Sequence, residues 1–258
     1  MHQYTTVVFD SVELGMTKRA YVYVPQGYAT SNTRYPVLYM HDGQNLFDDR
    51  IAHMNRGWRI PQVLRDHPDL PKVIIVGIES DGRTRTDQLI PFSFHFPRAK
   101  KGMGGQSDAY LEFIVHTVKP YVDNTYRTIP GREFTAIMGS SFGGVNSLYA
   151  ALTKNDVFSR FASLSGAFHY DFYDPLMELL QETNLSNVLK FHMDTGTQET
   201  NDPIENQKYM TRNKQIADVL KEKLDTAVFQ YLEVEGGHHH ETDWEARFAD
   251  IMRFLFEN

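Results

Sequence analysis

Phe134-Thr135-Ala136-Ile137-Met138-Gly139-Ser140-Ser141-Phe142-Gly143-Gly144-Val145 is the stretch on which the fold turns. An apolar run, Phe134 to Met138, leads into Gly-x-Ser-x-Gly centred on Ser141, and a helical candidate, Val145 to Leu152, follows. Strand, tight turn and helix in that order lift a hydroxyl above a sheet edge, at the head of a helix whose N–H groups face whatever approaches. Gly139 and Gly143 leave room where a Cβ would collide with the neighbouring strand and helix. The plain alternative is a Gly/Ser-rich connecting turn, and the apolar strand immediately before it counts against that. The pentapeptide alone carries limited weight; its setting carries more.

Working outward, further β-rich runs recur at Pro36–Met40, Lys72–Val76, Phe161–Leu164, Leu189–Met193 and Val228–Leu232. Several are apolar on both faces, as strands of a parallel sheet covered on both sides must be. Helical candidates lie between them. Asp108–Arg127 spaces Leu111, Ile114, Val115, Val118 and Val122 along one stripe, with Ser107 as its N-cap and Pro120 predicting a kink or break near His116–Lys119. Thr242–Phe256 stacks Trp244, Phe248, Ile251, Met252 and Leu255. Before all of these, Thr6–Leu14 and Arg19–Val24 read as an antiparallel pair, closed by Pro25 and Gly27. The alternation implies one α/β domain over residues 1–258, a three-layer sandwich with a mainly parallel central sheet and antiparallel N-terminal strands. Two segments, 80–106 and 168–188, break the pattern and are expected to form pocket walls.

Composition narrows the chemistry. The chain of 258 residues has 17 Phe and 14 Tyr, too many aromatics for a disordered protein, and no cysteine. Disulfides, thiolate-bound zinc, iron–sulfur clusters and a thiol nucleophile are therefore excluded. Lys and Arg number 26 against 33 Asp and Glu, a net charge of −7, which disfavours nucleic-acid and anionic-membrane surfaces. Met1–Asp10 has neither a basic region nor an apolar stretch of signal length, and the apolar run Val73–Ile78 is too short to span a bilayer. A cytoplasmic protein is the expectation. Gly102-Met103-Gly104-Gly105 lacks a preceding strand and the right spacing for a dinucleotide site, and no cofactor is implied.

A serine nucleophile needs a base, usually histidine, and a carboxylate to orient it. His169, His192, His238, His239 and His240 follow Ser141. His192 lies in an apolar strand and reads as a satisfied core residue. The loop Gly236-Gly237-His238-His239-His240-Glu241 follows the last strand, at the carboxyl end of the sheet where open α/β folds bind ligands. Spacing does not choose among its three histidines. One metal ion held by all three is disfavoured, because consecutive residues point in different directions, and no metal is expected. Asp194, Glu199 and Asp202 are the candidate acids. A developing oxyanion needs two backbone donors. One is Phe142, directly after the nucleophile, and the other comes from His41-Asp42-Gly43-Gln44, after the strand Pro36–Met40.

These features resemble the esterase D and feruloyl esterase group of α/β-hydrolases, which also holds siderophore esterases, carbohydrate esterases and mycobacterial mycolyltransferases. Tyr35-Pro36-Val37-Leu38-Tyr39-Met40-His41-Asp42-Gly43-Gln44-Asn45, Tyr126-Arg127-Thr128, the serine motif and Ser165-Gly166 carry the likeness. It implies the α/β-hydrolase fold and a serine esterase acting on small-molecule carboxylic esters with short or aromatic acyl groups, acylated sugars among them. The group's His-x-Glu-x-x-Trp pattern, matched by His239–Trp244, selects His239. Its Gly-Thr-x-acid turn selects Glu199, where many members carry Asp. Aligning its glycine places the second donor at Gln44, with Gly43 permitting the backbone turn. Relatives usually have Glu where Gln88 stands, so an Arg–Glu brace is missing. Trp58 and the segment Arg85–Phe92 also echo the group. Phe92, Phe94, His95, Phe96 and Phe168 could line an acyl or phenolic pocket, or could pack their loops down. Two rivals stand beside hydrolysis. Acyl transfer would be exposed by products formed with an added alcohol, and a catalytically silent binding protein by failure of a fluorophosphonate to label Ser141. An exposed aromatic loop could support a homodimer.

Overall fold

Apolar runs that must bury both faces place four strands, β3 (Val37–Met40), β4 (Ile74–Ile78), β5 (Thr135–Ser140) and β6 (Arg160–Leu164), in the middle of one sheet. The computed structural model describes residues 4–95 and 102–257. Among these, β1 (Tyr4–Ser11), β2 (Met16–Tyr23), β7 (Lys190–Gln198) and β8 (Phe229–His238) complete the sheet in the order β1-β2-β4-β3-β5-β6-β7-β8. β1 pairs antiparallel with β2, and β2 with β4, while β3 to β8 run parallel. The chain has the expected α/β-hydrolase architecture.

Alternation within each strand sorts the core into two layers. Leu38, Met40, Ala136, Met138, Ala162 and Leu164 face α1 (Ile60–Asp66) and the C-terminal helix, Glu241–Phe256, where Trp244, Phe248 and Met252 cover them. Val37, Tyr39, Ile137 and Phe161 face the other layer. That layer comprises α2 (Arg85–Leu89), α3 (Ser107–Glu112), α4 (Lys119–Thr125), α5 (Phe142–Thr153), α6 (Tyr173–Glu182) and α7 (Pro203–Lys223); the C-terminal helix is α8. None of the described helices is long and apolar enough to cross a membrane.

Several local expectations change. Ser107 does not cap α3: the N-cap is Gln106, and the buried Ser107 hydroxyl donates to the Gln88 carbonyl (3.2 Å) and accepts from Asn146 Nδ2 (3.0 Å), tying α2, α3 and α5 together. Pro120 does not end the helix. The helical run Ser107–Thr125 is continuous, but its α-ladder gives way to a π-helical stretch at Phe113–Val118, the interruption expected just before the proline, and α4 resumes from Lys119. β7 and β8 run past their apolar cores into polar residues, because backbone pairing between them carries the ladder on to Gln198 opposite His238, with an irregularity between Gly196 and Gln198. α7 escaped the sequence reading because its buried side, Tyr209, Asn213, Ile216, Ala217 and Leu220, is narrow and interrupted by an asparagine.

From β3 the chain passes to β4 on one side of the sheet, and from β5 to β6 on the other. The carboxyl ends of β3 and β5 therefore flank the topological switch point, where such sheets bind ligands. His41–Asn45 follows β3 there, and Ser141 follows β5.

Candidate active site

Ser141 sits between β5 and α5 with φ 59° and ψ −124°, a region a non-glycine residue enters only when its surroundings hold it there. Its N–H donates to the Leu164 carbonyl at 3.0 Å. A Cβ on Gly139 would lie 2.6 Å from His41 Cδ2 and 3.0 Å from the Gly143 backbone, and one on Gly143 would lie 3.1 Å from His41 Cβ. The turn is thus tight against its own helix, as expected. The rest of the crowding comes from the His41 side chain rather than from a neighbouring strand. His41 is buried, with Nδ1 2.9 Å from the Tyr110 hydroxyl. Burial pulls its pKa down to about 4, so it fills the space beneath the turn as a neutral ring.

Elongation of β7 and β8 delivers the next two groups. Glu199 follows β7, its side chain fully buried, and its Oε2 lies 2.7 Å from His239 Nδ1. Its Oε1 accepts the Gly196 N–H at 2.5 Å, so both carboxylate oxygens are held. His239 is 26% exposed, with its ring edge-on to Trp244 at 5.0 Å. The three consecutive histidine rings take three different partners. His238 Nδ1 lies 3.8 Å from Asp243, His239 pairs with Glu199, and His240 caps α8 by accepting the Thr242 N–H. The other two candidate acids are engaged elsewhere. Asp202 caps α7, accepting the N–H groups of Ile204 and Glu205 at 2.8 and 3.0 Å. Asp194 is buried with His192 at 2.9 Å and Arg247 at 3.4 Å.

Ser141 and His239 line one cavity of about 680 Å³, together with Gln44, Ser80, Arg85 and Trp244. A second cavity, about 580 Å³ between Pro25, Pro61 and Pro71 at the opposite end of the sheet, holds none of the candidate residues. Gln44 lies in a 3₁₀ turn, Gly43–Asn45, and its side-chain Oε1 accepts the Ser80 N–H at 3.0 Å. Gln44 and Phe142 both stand in the first turn of a helical segment, where backbone N–H groups have no intrahelical acceptor. Gly43 is not the residue that makes the turn. Asp42 takes the left-handed conformation (φ 55°), while Gly43 is needed because a Cβ there would lie 2.4 Å from the Gly77 backbone of β4.

The brace expected to be missing exists in another form. Arg85 grips Asp42 with two bonds, Nε–Oδ1 at 2.7 Å and Nη2–Oδ2 at 2.8 Å, and its guanidinium lies 5.5 Å from the centre of the Phe142 ring. Burial works to raise the pKa of the Asp42 carboxyl. The Arg85 charge and hydrogen bonds from Arg85 and Ser80 outweigh it, leaving the group below its ordinary range. Gln88 instead accepts from the buried Lys18 ammonium at 2.9 Å.

Of the two segments expected to wall the pocket, 80–106 contributes Ser80, Gly82 and Arg85, and 168–188 contributes nothing to this cavity. Phe168, Phe172, Leu176 and Leu180 turn into the core instead, because burying them there removes more apolar surface from water. Phe92 packs against Tyr149, and Phe94 against Phe142 and Phe172. His95 is exposed, and Phe96 lies outside the described residues. Residues missed by the sequence reading take the wall's place. Ile51, Ala52, His53 and Met54 form one side, and Met54 and Asn55 both have positive φ (57° and 53°). Tyr209 on α7 is the other omission: it is buried, with its ring 5.3 Å from that of His239. No local motif marks it, since only the packing of α7 brings it there.

Known proteins agree with this architecture. A family model described as "Putative esterase" matches residues 11–255. The uncharacterized protein YbbA of Bacillus subtilis is 26% identical over 247 residues, 93% of this chain and 92% of that protein. Ferri-bacillibactin esterase BesA of Bacillus subtilis is 26% identical over 147 residues, 53% of this chain and 49% of that one. Among solved structures, an IroE-like serine hydrolase from Shewanella oneidensis superposes with a TM-score of 0.78 at 22% identity, covering 98% of this chain and 80% of the other.

Proposed function

Since the chain belongs to the putative esterase family and is a hydrolase acting on esters, we propose that it works as a serine esterase through Ser141, His239 and Glu199. The observation that carries this reading is the 2.7 Å contact of the buried Glu199 carboxylate with His239 Nδ1, on a ring that shares a cavity with Ser141 at its strained turn. A carboxylate at Nδ1 fixes the tautomer that leaves Nε2 free to accept a proton.

In the acylation step the Ser141 hydroxyl attacks the ester carbonyl and its proton passes to His239. The oxyanion is met by the Phe142 and Gln44 N–H groups, and His239 returns the proton to the departing alcohol. In the second half water repeats the attack on the acyl-enzyme. Glu199 orients the ring through Nδ1 and balances the imidazolium that forms. The substrate is a small-molecule ester. A cavity of about 680 Å³ has room for an aromatic acyl group or a segment of a siderophore ester, such as the one named for BesA.

Ser141→Ala tests the reading. The expected result is turnover of p-nitrophenyl acetate falling to background, with the thermal unfolding midpoint preserved. Retained turnover would remove Ser141 from the mechanism.

A further inference from the structure

We propose that Ile51 and Met54 form an apolar lip that seats a plain hydrocarbon group of the ester and thereby favours alkyl and unsubstituted aryl esters over acylated sugars and phenolic acyl groups. This deepens the serine esterase reading above and rests on it. Both side chains border the cavity that Ser141 and His239 share. Both are also left uncovered, Ile51 43% and Met54 75% exposed, so their apolar surface meets water where a substrate would enter.

The backbone holds them there at a cost. Met54 (φ 57°, ψ 20°) and Asn55 (φ 53°) take left-handed conformations that non-glycine residues rarely adopt. Such backbone persists where its surroundings over-determine it, ligand clamps among them. Here the ties are the Asn55 N–H to the Ala52 carbonyl (3.1 Å), the His53 N–H to Asn45 Oδ1 (2.9 Å) and an Arg56–Glu245 ion pair. The Asn45 carbonyl also accepts the Trp58 N–H at 2.7 Å, and Asn45 closes the 3₁₀ turn that carries Gln44. The lip and the proposed oxyanion donor therefore share one support.

What the lip can take follows from the rest of the wall. Arg85 holds both Asp42 oxygens, Gln44 Oε1 accepts the Ser80 N–H at 3.0 Å, and Asn45 Nδ2 donates to Glu241 at 3.4 Å. A hydroxyl-rich group would have to break such pairs to gain partners of its own. A hydrocarbon asks only for apolar surface, and Met54, an unbranched thioether, adapts its shape to the chain or ring that arrives. Trp244 adds an aromatic surface to the same cavity.

The test is a pair of ester series on the full chain. Lengthening p-nitrophenyl acetate to the octanoate extends the acyl group, and lengthening methyl acetate to hexyl acetate, followed by acid release, extends the alcohol. In at least one series kcat/KM should rise about two- to fourfold per methylene. Met54→Asn, which keeps a residue tolerant of positive φ, and Ile51→Thr should flatten that rise, cutting the ratio of longest to shortest ester by roughly tenfold. Met54→Leu, which keeps the apolar surface, should preserve it. Methyl cinnamate should be a better substrate than methyl ferulate, and better than an acetylated sugar. A flat response in both series, a slope that neither polar variant moves, equal flattening by Met54→Leu, or a preference for ferulate or the sugar ester would overturn the inference. So would a dimer, seen by size exclusion, that Met54→Asn splits, since the lip would then belong to a second copy of the chain. Thermal unfolding of each variant separates a lost contact from a lost fold. Fluorophosphonate labelling separates the two levels: failure to label Ser141 would overturn the serine reading itself, whereas a labelled, active enzyme with flat series would overturn this inference alone.

Discussion

Two histidine–carboxylate pairs take their carboxylates from β7 and the loop that follows it, and they have opposite fates. His192 and Asp194 meet at 2.9 Å, and His239 and Glu199 at 2.7 Å. His192 is 2% exposed, and its second ring nitrogen is taken by Gln230 at 2.7 Å. Asp194 is sealed beside Arg247 and the Ser165 N–H. His239 is 26% exposed and borders the cavity of Ser141. The pairing itself is therefore no mark of catalysis. What differs is whether the far nitrogen of the ring meets protein or open space.

Exchanging each carboxylate for its amide should separate the pairs most sharply. Glu199→Gln should lower kcat by roughly 10⁴-fold with stability nearly kept, because the amide no longer enforces the tautomer or balances the imidazolium. Asp194→Asn should do the reverse, leaving kcat within a few-fold and costing about 3–5 kcal/mol of stability, since Arg247 and His192 lose a buried partner. Kinetics and urea unfolding on both variants check this, and equal kinetic losses would erase the distinction.

A smaller effect comes from the rings that stay neutral. Burial lowers both His41 and His169 to about 4, with His239 and Lys208 adding to the shift at His169. Below the unfolded value of about 6.5 the unfolded chain binds protons that these folded rings refuse. Stability should thus be full above pH 6.5 and fall progressively toward pH 4, by at most roughly 3 kcal/mol per ring. His169→Phe should flatten that loss in urea titrations at pH 7 and 4.5; an unaltered slope would count against it. The smallest effect concerns the remaining acid candidate. Asp202→Ala should cost only about 1 kcal/mol, the worth of a helix cap, with esterase turnover unchanged. A large drop in kcat there would shift the triad's acid away from Glu199.

Much of this was legible in advance, and for identifiable reasons. The central strands announce themselves because burial on two faces demands unbroken apolar runs, and Ser141 because a strained turn between strand and helix demands glycine on both sides. His239 and Glu199 were reached through a family resemblance rather than through spacing. Periodicity passed over α7, because a helix lying over one flank of the sheet needs only a narrow apolar stripe. Of the two expected pocket walls, 80–106 lines the cavity and 168–188 does not, for a related reason. The inserted segment Phe168–Leu180, with its short helix, satisfies its apolar residues by entering the core, while the short loop Ile51–Met54, with no compositional signature, borders the cavity.

Alone, the order of residues determined the layers, the parallel sheet and the position of the strained turn at Ser141, since each depends on local pattern and backbone sterics. Tertiary structure decided which of three histidines pairs with a buried carboxylate, which of three carboxylates is unclaimed by a cap or a core pair, and that Arg85 answers Asp42. It also brought the Tyr209 ring to within 5.3 Å of the His239 ring, across the packing of α7 on the sheet. Contacts of that kind arise from the packing of whole elements against one another, and packing leaves no trace in any short stretch of sequence.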